Sequence, residues 1–147
     1  MRVTAESHLD HGLSPECVAW ILGEFADRTA FFIATQELPP ELEPEGLVSA
    51  LYGPLAGDEP VPEAEVTYAC RGARTAPSRL VARPVRPTRV VTVIAGPDGP
   101  DGAMTLYTSY GGPCAPREPG DPFLQREGQE VALAEAKAFW AVHALAI

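Results

Sequence analysis

The spacing of apolar and polar residues changes several times along the chain, and each change marks an element. Val18, Ile21, Leu22 and Phe25 recur three and four residues apart, which predicts a helix over 14–27 with Trp20 on its flank. Ser14-Pro15-Glu16 supplies its start: a hydroxyl to cap an orphan amide, a proline suited to the first turn, and a carboxylate at the positive helix end. From Thr29 to Leu38 the period falls to two, with Phe31, Ile33 and Thr35 alternating with Phe32, Ala34 and Gln36. This predicts the first strand. Leu47 to Tyr52 predicts a second, stopped by Gly53-Pro54.

Val66 to Cys70 and Ser78 to Val81 read as further strands around a turn at Arg71-Gly72-Ala73-Arg74, after which Pro84 and Pro87 limit regular pairing. Arg89 to Ile94 and Ala103 to Tyr110 predict an antiparallel hairpin with a long loop, since the connection is dense in Gly, Pro and Asp. Gly111 to Pro122 reads as irregular. Val131, Ala134, Ala138, Val142 and Leu145 predict a C-terminal helical stripe, widened by Phe139 and Trp140. The order predicts an α+β fold: a mostly antiparallel sheet of four to six strands with an N-terminal and a C-terminal helix packed on it, in a single domain over 1–147.

Composition supports a globular chain. With 147 residues, 46% hydrophobic and 21% charged, it can bury a core without disulfide or metal staples. Its net charge of -9 opposes a broad, non-specific grip on nucleic acid. The charges are segregated, however. From Val66 to Pro97 there is no acid, but Arg71, Arg74, Arg79, Arg83, Arg86 and Arg89 are present. From Thr29 to Cys70 there is no Lys or Arg, but Glu37, Glu41, Glu43, Glu45, Asp58, Glu59, Glu63 and Glu65 are. Mutual attraction of the two blocks is the plainest expectation. Cys17, Cys70 and Cys114 are odd in number and widely spaced, unlike a disulfide framework or a zinc ribbon. No apolar leader or spanning run is apparent, so a reducing cytoplasm is expected, with no membrane contact.

Three constellations can carry chemistry. His8-Leu9-Asp10-His11 places two imidazoles beside a carboxylate, and such a pair can accept and donate a proton near neutrality. The alternative is one histidine bonded to backbone near the helix start and one solvated. The pair lacks the H-E-x-x-H spacing of a zinc site, and neither a metal nor a cofactor is called for. Second, Arg71, Arg74, Ser78 and Arg79 can grip a phosphate through guanidinium forks and a hydroxyl, with Arg74, Ser78 and Arg79 ranked first; the alternative is pairing with internal carboxylates. Third, alternation along Tyr107-Thr108-Ser109-Tyr110 puts Thr108 and Tyr110 on one face, where two hydroxyls can orient a phosphate; a tyrosine packed in the core is the alternative. Cys114 lacks a visible partner base, and only the fold can bring His143 to it.

Histidines before the first helix (His8, His11), arginines and a serine in the middle of the sheet (Arg74, Ser78, Arg79), and Thr108-x-Tyr110 near the last strand, in that order, resemble the barnase, EndoU and RelE-like ribonucleases and toxin domains. The strings Thr92-Val93-Ile94-Ala95-Gly96 and Glu118-Pro119-Gly120-Asp121-Pro122 also look like an uncharacterised bacterial family. The first resemblance implies a helical N-terminal part on an antiparallel sheet and metal-independent cleavage of RNA. It further implies that His8 or His11 takes the ribose 2′-hydroxyl proton and that the other imidazole, or Tyr110, protonates the departing oxygen. Arg74 and Arg79 would stabilise the phosphoryl charge, and Thr108 would position the group. Two other functions fit the sequence: a non-enzymatic module that binds a protein partner through the acidic, proline-rich segment 39–65, and a small-molecule enzyme recognising a phosphate or carboxylate.

Overall fold

A computed structural model describes residues 13–147 and 1–3 in full and residues 4–8 as main chain; His11 lies outside the described residues. The chain forms two compact units, one of Met1–Ser49 with Pro87–Cys114, the other of Ala50–Arg86 with Ala115–Ile147.

The first unit opens with strand β1 (Arg2–His8), followed by helix α1 (Pro15–Glu24) and strands β2 (Phe32–Glu37), β3 (Leu47–Ser49), β8 (Val90–Asp98) and β9 (Ala103–Gly111). The Ser14 side chain caps α1 by accepting from the Cys17 N–H at 3.1 Å, as the Ser-Pro-Glu start requires. Four strands form a sheet in the order β1-β9-β8-β2. β2, β8 and β9 run antiparallel, whereas β1 joins β9 in parallel. The helix buries Cys17, Ile21 and Phe25 against Phe32, Val91, Val93, Ala95 and Leu106, so one face of the sheet and one stripe of the helix share a core.

The second unit holds β4 (Leu51–Tyr52), β5 (Val66–Ala69), β6 (Ser78–Val81), helix α2 (Glu130–Trp140) and β10 (Ala144–Ala146). Its sheet runs β4-β10-β6-β5, with β10 antiparallel to β4 and parallel to β6. Leu51, Leu124, Ala136 and Trp140 form one core cluster, and Tyr52, Val61, Val81 and Ala144 another. A short strand β7 (Arg86–Thr88) pairs with β3.

The architecture is therefore mixed α and β, with two helices and sheets of mixed strand orientation, and it corrects several local expectations. The N-terminal element is a strand that precedes the first helix, because residues 2–8 supply an edge for β9 although their own sequence has little apolar alternation. The segment 47–52 divides between two sheets as β3 and β4. β7 forms despite Pro87, on an edge where a missing N–H costs nothing. The long loop after Ile94 contracts to a turn, as β8 runs on to Asp98 and Gly99 and Gly102 adopt φ +75° and +65°. Pro97 is tolerated in β8 because it lies beyond the last residue that pairs with β2.

The C-terminal helix is shorter and turned differently from the expected stripe. It buries Ala136 and Trp140, with Leu133 and Phe139 partly buried, and leaves Val131 73% exposed. Two apolar stripes compete on this sequence, and the one carrying Leu133, Phe139 and Trp140 has more area to bury. Its Trp140 Nε1–H donates to the carbonyls of Pro116 and Arg117, both at 3.2 Å. Leu145, expected on the helix, lies in β10. No helix among the described residues is long and apolar enough to cross a membrane.

Candidate functional site

The β1–β9 register sets the His8 main chain opposite Thr108, a pairing of positions 100 residues apart, after a shift in register from Val3 opposite Leu106. On its other side β9 pairs with β8, Thr108 opposite Ile94 and Tyr110 opposite Thr92. Thr92 Oγ1 donates to the Gly112 carbonyl at 2.8 Å and shares a 3.1 Å hydrogen bond with Thr35 Oγ1. Thr108 and Tyr110 are half-buried, whereas Ser109 between them is fully buried, so their alternation is as expected.

Tyr107 departs from it. Between Ile94 and Ala95 the register shifts, leaving Tyr107 as an extra residue on β9. Its ring edge and that of Phe31 both lie over Gly96, where an added Cβ would come within 3.2 Å and 3.0 Å of them. The Tyr107 hydroxyl donates to the Pro97 carbonyl at 2.9 Å. The bulge thus brings Tyr107 round to the side of β8 away from the helix, a displacement that period-2 counting cannot foresee.

Of the six arginines of the acid-free run, Arg71, Arg74, Arg79, Arg83 and Arg86 belong to the second unit and Arg89 to the first, and every one is engaged. Arg71 and Arg74 converge on Glu118: Arg71 Nη2 lies 2.7 Å from Oε2, and Arg74 Nη1 pairs with the same oxygen. Ser78 Oγ accepts from Arg71 Nε at 3.0 Å and from Arg74 Nη1 at 3.4 Å. Burial lowers the Arg74 pKa, helped by the like charge of Arg71. Arg79 does not join them. Adjacent strand residues point to opposite faces, so Arg79 instead donates to Glu63, to the Tyr68 hydroxyl at 2.8 Å and to the His143 carbonyl at 3.2 Å. The hydrogen bond from Tyr68 is the main cause of a lowered Glu63 pKa, and the Tyr68 pKa is raised in turn.

Arg83 pairs with Glu65, and Arg86 with Asp58 at 2.7 Å, while Arg89 donates to the carbonyls of Pro39, Leu42 and Glu43. The basic and acidic blocks therefore attract one another, the plainest of the sequence expectations. The residue that sequence reasoning missed is Glu118. Its only signal was indirect: Arg71 and Arg74 stand in an acid-free run, so any carboxylate that pairs with them must come from elsewhere in the chain.

His143 is committed to the fold. Its ring is buried and stacked on Phe139 at a centroid distance of 3.7 Å. Nε2 accepts from the Leu55 N–H at 2.9 Å, so the proton sits on Nδ1, which donates to the Phe139 carbonyl at 2.7 Å. Gly53, at φ +132°, is the only residue type that fits against it, since a Cβ there would lie 2.4 Å from the ring. Among the described residues no group of three His, Cys, Asp or Glu side chains is placed to hold a metal ion. No family model, no curated protein and no solved structure matches this chain.

Proposed function

We propose that the chain is a ribonuclease-like enzyme cleaving phosphodiesters by metal-independent transesterification, with its acid–base groups on the sheet of the first unit. The observation that carries this reading is the register setting His8 opposite Thr108, with Tyr110 two residues further along the same strand. A helix packed on the antiparallel strands β2, β8 and β9 is also the arrangement that the resemblance to such ribonucleases implies.

One of His8 and His11 takes the proton from a ribose 2′-hydroxyl as its oxygen attacks phosphorus. The bond to the 5′-oxygen breaks, and the other imidazole or Tyr110 protonates that oxygen, leaving a 2′,3′-cyclic phosphate and a 5′-hydroxyl. Thr108 offers a hydroxyl to position the phosphate. Arg74, Ser78 and Arg79, the phosphate groups expected from the sequence, belong to the second unit, where both arginines carry carboxylate partners, and this reaction assigns them no step. The reading places the enzyme in a reducing cytoplasm, with RNA or another phosphate-bearing molecule as its ligand.

Cleavage of labelled RNA is the test. The activity should survive EDTA, yield a cyclic phosphate end, and fall at least about a hundredfold in one or both of His8→Ala and His11→Ala. Full activity in both variants refutes the assignment. A protein-binding reading draws on a different observation: Glu41, Glu45 and Glu59 of the acidic segment remain exposed while Asp58, Glu63 and Glu65 are paired to arginines. It makes no demand on either histidine, so the same variants separate the two.

A further inference from the structure

We propose that Arg71, Arg74 and Ser78 form a seat for a terminal phosphate dianion, which the Glu118 carboxylate fills in the free chain and gives up on binding. The inference goes beyond the proposed cleavage reaction and does not rest on it.

Two guanidinium groups meet one carboxylate, so the cluster keeps one positive charge in excess, and a phosphate dianion matches the pair where Glu118 does not. Hydrogen bonding points the same way. The Glu118 side chain is 8% exposed, and only Oε2 is bonded; Oε1 is buried without a partner. Such an orphan is costly to bury. A phosphate has oxygens for both forks and for the Ser78 hydroxyl, while the displaced carboxylate regains water. Arg71, with its side chain 47% exposed, leaves the seat open to solvent. The neighbouring acid, Asp121, is occupied by Arg117 at 3.3 Å and by the Phe123 N–H at 2.9 Å.

The backbone around Glu118 is pinned, so the exchange has to come from rotation of its side chain. Trp140 holds the carbonyls of Pro116 and Arg117, and the Thr75 N–H donates to the Gly120 carbonyl at 3.0 Å. Gly120 is so close to Ala76 that a Cβ would lie 2.5 Å from its carbonyl oxygen. A phosphodiester, with a single charge, has no advantage over the carboxylate and should not displace it.

The test is titration of the full chain with inorganic phosphate by calorimetry. Glu118→Gln keeps the shape and removes the competing charge, so it should bind phosphate about tenfold or more tightly than the native protein. Arg71→Ala in that background should abolish the gain. Equal or weaker binding by Glu118→Gln, or a gain that Arg71→Ala leaves intact, overturns the proposal. Should Glu118→Gln fail to fold, the guanidinium Nε–H resonances of Arg71 and Arg74 in the native protein give the answer. They should shift together as phosphate is added, and if both stay still the seat does not exist. A dinucleotide without a terminal phosphate should leave them unmoved. RNA cleavage is read separately: cleavage without phosphate binding refutes the seat alone, and phosphate binding without cleavage refutes the ribonuclease reading alone.

Discussion

Arg89→Met tests whether the arginine strip organises the acidic segment. The Arg89 guanidinium donates to three carbonyl oxygens, those of Pro39, Leu42 and Glu43, at 2.7 Å for the first two, and so closes the loop between β2 and β3 from inside. Main-chain turns at Leu42 and Gly46 lie within the same loop. Met keeps an unbranched apolar stem but offers no donor. Hydrogen bonds to a charged group contribute about 1.5 to 3 kcal/mol each, which makes the loss of three about 4.5 kcal/mol or more if the carbonyls stay dry. Half-burial lets water reach them, so a loss of about 3 kcal/mol is expected. Urea denaturation should show a lower midpoint with an unchanged slope, and hydrogen exchange should quicken at the amides of Leu42 and Gly46. Arg89→Lys should recover only part of the loss, since a single ammonium cannot span three acceptors in a fork. A loss under about 1 kcal/mol would mean that the loop holds its own shape and that the guanidinium merely rests on it.

Two further outcomes follow from the side-chain contacts. The Glu43 pKa is lowered chiefly by its hydrogen bond with Ser14, and the Asp58 pKa chiefly by that with Arg86. With folded values below the unfolded ones, both contributions are present above the ordinary carboxylate range and fade as pH falls through the lowered values. Stability measured by urea midpoint should therefore fall as pH drops below the ordinary carboxylate range, and a Glu43→Gln, Asp58→Asn double variant should show a shallower drop; an identical acid limb would refute the linkage. His143→Phe retains the stacking area but leaves the Leu55 N–H without its partner and the Phe139 carbonyl with the main-chain Val142 N–H at 3.2 Å, so it should cost about 1 to 3 kcal/mol. Where that variant is folded, RNA cleavage should be unaffected, and a loss of activity in it would place His143 in the chemistry.

What the amino-acid order determined by itself is local. The Ser14 cap, the helix that follows it, the β5–β6 hairpin around Arg71–Arg74 and the alternation at Thr108 and Tyr110 appear where propensity and period put them, because each depends on neighbours a few residues away. Segregated charge likewise announced the pairing of arginines with the acidic stretch. Tertiary structure alone decided the rest. It recruited β1 and β10, both too short or too polar to declare themselves, as parallel partners for β9 and β6. It chose between two apolar stripes on α2, introduced the bulge that turns Tyr107, and brought Glu118 to Arg71 and Arg74 across more than forty residues of sequence. Strand pairing and ion pairing join groups distant along the chain, and their energies depend on burial and register. A one-dimensional pattern encodes neither until the chain has closed on itself.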